Sequence, residues 1–127
     1  MSRPSAARLV LCILVFALVG PPVGGLVVWL GMGAASLRSP VAFIAGSWLE
    51  GGALALATGI VTALAAWRGV TTWIAPVAAA ALITALFIAA TAGGEGAAML
   101  RTAPVLMPPA IAAALACWLL TRRLLRR

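Results

Sequence analysis

The sequence has no His, Lys, Asp, Asn, Gln or Tyr, and its only acids are Glu50 and Glu95. Most enzyme chemistry draws on His, Asp or Lys as base, nucleophile or metal ligand. Without them an enzyme is the least expected class, and no cofactor is implied. Cys12 and Cys117 stand without a CxxC pair or a histidine, so a zinc site lacks its ligands. They read as small core residues. Charge is scarce too: 9% of the 127 residues are charged and 65% are hydrophobic, with a mean hydropathy of +1.17. A soluble domain is nearer half apolar and a quarter charged. The expected solvent and first partner is therefore a lipid bilayer.

What the chain does have is long apolar runs. A membrane-crossing helix needs about 20 such residues, and four runs fill the sequence, at about 9–30, 47–67, 73–92 and 104–121. The expected fold is all-α: one polytopic membrane domain of four transmembrane helices over residues 1–127. The first run opens like a signal peptide, with Arg3 and Arg8 ahead of Leu9–Val19. Its hydrophobicity continues past Gly20-Pro21-Pro22 to Trp29 with no small-x-small cleavage site, so it reads as a retained helix with a break in its middle. The second run, Val41–Trp67, is too long for one untilted span. Trp48 and Trp67 lie 19 residues apart, about 28 Å of helix, which matches a hydrocarbon core of roughly 30 Å. Tryptophan favours both interfaces. This places the span between the two tryptophans and makes Val41–Gly46 an apolar approach.

Arg68-Gly69 supplies a tight turn, because Gly tolerates positive φ. The third span starts at Thr72 or Trp73 and ends at Ala92. Gly93-Gly94-Glu95-Gly96 then breaks it and begins a loop that carries Arg101. The fourth span begins near Pro104. Whether Pro108-Pro109 kinks that span or delays its start is left open by the sequence.

All nine basic residues are Arg, giving a net charge of +7. They sit at helix ends rather than on one soluble face, which argues against nucleic acid as partner. Read by the positive-inside rule, Arg3, Arg8, Arg68, Arg122, Arg123, Arg126 and Arg127 face the cytoplasm. Arg38 and Arg101 face out. Both termini are then cytoplasmic in a bacterial inner membrane, and Trp67, Trp73 and Trp118 all fall at the cytoplasmic interface. The basic tail also suits anionic lipid, at about 1 kcal/mol per Arg near the surface.

Several positions admit a functional reading beside a packing one. Gly20-Pro21-Pro22-Val23-Gly24-Gly25 frees backbone carbonyls, as the broken helices of transporters do, or it kinks the helix and lets a neighbour approach. Glu50 is an acid inside a span, a functional candidate by type; at shallow depth it also reaches water or pairs with Arg38 or Arg101. Thr58 and Thr62 lie one turn apart beside the small-residue track Ala55, Gly59, Ala63. They suit helix packing through hydroxyl–carbonyl bonds, or a polar path.

Gly20-Pro21-Pro22-x-Gly24-Gly25, followed by Trp48-x-x-Gly51-x-x-Leu54-Ala55-x-x-Thr58-Gly59, resembles a family of small uncharacterised bacterial inner-membrane proteins. Their second helix reads aromatic-x-x-Gly-x-x-Pro-Ala-x-x-Thr-Gly; here Trp48 replaces the usual Tyr and Leu54 the usual Pro. The resemblance covers the first half of the chain and implies a four-helix membrane fold without an assigned activity. Small multidrug exporters, similar in size, carry their membrane Glu in the first helix among aromatics, whereas Glu50 is in the second. Fluoride channels of this size depend on Asn and insert in both orientations; seven arginines against two favour one. The leading expectation is a non-enzymatic membrane protein acting by helix packing, as an oligomer or as an accessory subunit of a membrane complex. The alternative is a small transporter or channel using Glu50.

Overall fold

The computed structural model describes residues 4–32, 39–93 and 95–126; Arg3, Arg38, Gly94 and Arg127 lie outside the described residues. Four helices follow one another: α1 (Ala6–Met32), α2 (Pro40–Trp67), α3 (Ile74–Thr91) and α4 (Gly96–Arg126). All four are long and apolar enough to cross a membrane. Leu14, Leu18, Leu49, Leu82, Leu86 and Leu120 are all exposed on the perimeter. In a bilayer such a perimeter faces lipid, where only helices and closed barrels satisfy their own backbone. The chain is a polytopic membrane protein.

Three boundaries differ from the sequence reading. First, α1 is one continuous helix through Pro21 and Pro22, so the expected break does not interrupt it. Each proline removes one donor, but unwinding in lipid would leave more groups unpaired. Second, α2 begins at Pro40 rather than near residue 47, making Val41–Gly46 its first turns. Ser39 accepts from the Ala42 N–H at 3.4 Å, and Pro40 at the first helical position needs no N–H partner. Third, α4 begins at Gly96 rather than near Pro104 and holds Pro104, Pro108 and Pro109 inside it. Arg101 therefore sits on a helix and not in a loop. At about 1.5 Å per residue, α4 is roughly 46 Å long, more than a ~30 Å core needs.

The expected turn after α2 is present. Gly69 has φ +89°, the Val70 N–H donates to Ala65 O at 2.9 Å, and the Gly69 N–H to Ala66 O at 3.0 Å. This pair of bonds is a Schellman closure with glycine in the left-handed position. Gly93, with φ +59°, ends α3 in the same conformation.

Close approaches fix the helix directions. Gly20 meets Ala55 while Gly59 meets Phe16 and Ile13, so α1 and α2 are antiparallel. Gly24 meets Pro109 and Gly20 meets Cys117, so α1 and α4 are antiparallel as well. The helices pack in a ring, α1–α2–α3–α4 and back to α1, with α2 and α4 barely touching across it. Both termini and the 68–73 turn share one end. The core clusters at that end: Cys12, Phe16, Ala66, Ala80, Ala114 and Cys117 are buried together. There the Arg122 guanidinium lies 5.9 Å from the Trp118 ring centroid, within cation–π range.

Candidate functional site: a cavity among the four helices

The small residues of α1 and α2 set the tightest contact in the protein. A Cβ on Gly59 would stand 2.8 Å from Phe16 Cβ, and one on Gly20 would stand 3.2 Å from Ala55 Cβ. The Ala55–Gly59–Ala63 track is thus occupied by α1 of the same chain. The hydroxyls beside it turn inward to their own helix: Thr58 donates to Leu54 O at 2.8 Å and Thr62 to Thr58 O at 2.7 Å. Cys12 and Cys117 are free and wholly buried between α1 and α4. The Cys117 thiol points to Val15 O at 3.9 Å. Both are core residues.

Toward the end away from the termini the packing opens into a cavity of about 610 Å³ walled by all four helices. Phe16, Gly20, Pro21, Gly24 and Gly25 line it from α1, and Leu106, Pro109 and Ala110 from α4. Proline bends helices, and the cavity lies at the level of both proline pairs. From α2 come Ser47, Glu50, Leu54 and Thr58; from α3 come Ala80, Thr84 and Phe87. The inner wall is made of buried residues, Phe16, Thr58, Thr84 and Ala114, whereas Glu50 is exposed and marks the mouth.

The cavity gathers some of the sequence candidates and excludes others. Gly20, Pro21, Gly24, Gly25, Glu50 and Thr58 face it; Pro22, Gly59, Thr62 and Arg101 do not line it. Arg38 lies outside the described residues. Glu50 makes no ion pair among the described residues, so Arg101 is not its partner. No described arginine lines the cavity, which leaves one carboxylate as its only formal charge. Thr84 and Phe87 were not anticipated from the sequence. The available signal was faint: Thr84 is the lone polar residue within Ile74–Ala90.

The fold and the cavity together define a small four-helix polytopic membrane protein with an inter-helical chamber. Comparison with protein-family models, curated proteins and solved structures finds no match.

Proposed function

We propose that this chain is a small, non-enzymatic transporter or channel whose chamber admits a cationic solute, with Glu50 as the charged contact at the mouth. The observation that carries the reading is the placement of Glu50 on a chamber that all four helices wall and no described arginine lines. An acid inside a span is expensive to keep and is usually functional. A carboxylate flanked by apolar wall attracts cations more strongly than one in bulk water, because the field is less screened.

The proposal sets the protein in a bacterial inner membrane with both termini in the cytoplasm, on the seven-to-two arginine distribution. The mouth of the chamber then faces out. It also keeps the resemblance to small four-helix inner-membrane proteins carried by Gly20-Pro21-Pro22-x-Gly24-Gly25 and the second-helix pattern.

A packing role, as an oligomer or an accessory subunit, is the second reading. Gly46 and Gly52 favour it, since an added Cβ at either meets nothing within 4 Å and small residues let a foreign helix come close. It has lost its earlier motive, because the Gly20–Ala55 and Gly59–Phe16 contacts occupy the main small-residue faces within the monomer.

The test is uptake of radiolabelled hexyltrimethylammonium into proteoliposomes. The protein should raise uptake well above that of empty vesicles, and Glu50→Gln should lower it at least tenfold. Equal uptake by wild type and variant would sink the reading.

A further inference from the structure

Six described threonines lie within helices. Five behave alike: Thr58, Thr62, Thr91, Thr102 and Thr121 each donate to the carbonyl four residues back, at 2.7 to 2.9 Å. This back-bonding is the ordinary way for a hydroxyl in an apolar helix to find a partner. Thr84 departs from it. The equivalent acceptor, the Ala80 carbonyl, is present one turn back, yet Thr84 makes no hydrogen bond among the described residues. It is also only 2% exposed. Burying a hydroxyl without a partner is costly, and among the described residues Trp118 Nε1 is the fully enclosed side-chain polar atom that lacks one; the Thr84 hydroxyl, without a back-bond, instead keeps surface open to the chamber. Thr84 lines the chamber, between Ala80 and Phe87 on α3.

The position relative to Glu50 follows from helix counting. Across the tight turn after Trp67, Thr84 is ten residues into α3, level with Ala57, ten residues back along α2. Glu50 is seven residues nearer the mouth, roughly 10 Å along the axis at ~1.5 Å per residue. Most of the lining is apolar, including Pro21, Leu54 and Phe87, with Ser47 and Thr58 as its other polar side chains.

We infer that the chamber takes an elongated organic cation with an apolar body, its charge at Glu50 and a hydrogen-bonding group at its far end held by the Thr84 hydroxyl. Thr84 is a binding residue that sets ligand length and end-group preference. The inference rests on the reading of the chamber as a solute site. It adds an inner anchor and a ligand shape, and these can fail while that reading stands.

The test compares two probe series on purified protein in nanodiscs. One is alkyltrimethylammonium from butyl to decyl; the other is the same series with a terminal hydroxyl. Wild-type protein should bind the hydroxylated probe of one intermediate length roughly fivefold tighter than its plain counterpart, the value of one net hydrogen bond. Thr84→Val, matched in shape, should bring the pair to parity; Thr84→Ser should keep the preference. Glu50→Gln should weaken both series equally. A preference that survives in Thr84→Val, or no preference in wild type, overturns the Thr84 assignment while Glu50 dependence of both series still upholds the solute site. If wild type binds neither series, both the anchor and the cation-binding chamber are overturned.

Discussion

A single carbon decides the fit of α1 against α2. Gly59→Ala would set its Cβ 2.8 Å from Phe16 Cβ, with the Ile13 backbone at 3.3 to 3.4 Å closing the other side. Neither neighbour is the free end of a flexible chain, so the two helices must separate. Overpacking of this kind costs about 1–3 kcal/mol, more than the ~1 kcal/mol that alanine gains over glycine in a helix. Gly52→Ala meets nothing within 4 Å and keeps only the gain. Stability in a denaturing detergent titration should fall for Gly59→Ala and stay equal or rise slightly for Gly52→Ala. At this scale the sequence was partly readable. The Ala55–Gly59–Ala63 spacing announced a close helix contact, though not that α1 makes it. Thr58 and Thr62 announced hydroxyl–carbonyl bonds, which they form. Thr84 carries only a faint mark in the sequence, and its departure from the back-bonding of the other helical threonines shows only in the structure.

At the scale of the element, hydropathy sufficed to find four spans, because lipid demands an apolar run of a minimum length and little else. Their ends were harder to read. Trp48 and Trp67 stand about 28 Å apart along one helix, but α2 starts eight residues before Trp48, since Ser39-Pro40 is a good helix start wherever it lies. Pro104 invited the opposite error. Proline favours a first turn, yet here the Gly96–Ala103 stretch is already helical, with Thr102 Oγ1 donating to Ala98 O at 2.8 Å. Pro108-Pro109 accordingly lies inside a helix already in progress and does not postpone its start. The same logic keeps α1 whole across Pro21-Pro22. The two helices that hold proline pairs face each other with Gly24 against Pro109. No one-dimensional pattern reports the rotation that brings them together, so the chamber was invisible in the sequence although many of its lining residues had been singled out.

At the scale of the whole molecule, ring packing with antiparallel neighbours puts Arg8, Arg68, Arg122 and Arg123 at one end. The sequence argument had assigned these four to one compartment. The orientation proposal makes a direct prediction: a fluorescent protein fused after Arg127 should fluoresce in bacterial cells, and an alkaline phosphatase fused there should be inactive. The reverse pattern would invert the molecule and place Glu50 nearer the cytoplasm.

The bundle is also uneven along its axis. Near the termini Phe16, Ala63, Ala66, Ala80 and Ala114 are buried, whereas among the described side chains of α2 from Val41 to Ala57 none is buried. Local opening free energies follow such differences in packing. Amide hydrogen exchange should therefore slow along α2 from its Pro40 end toward Trp67. The mouth of the chamber, with Glu50 on it, is then the least anchored stretch of its wall, and a solute would enter where the bundle yields most readily.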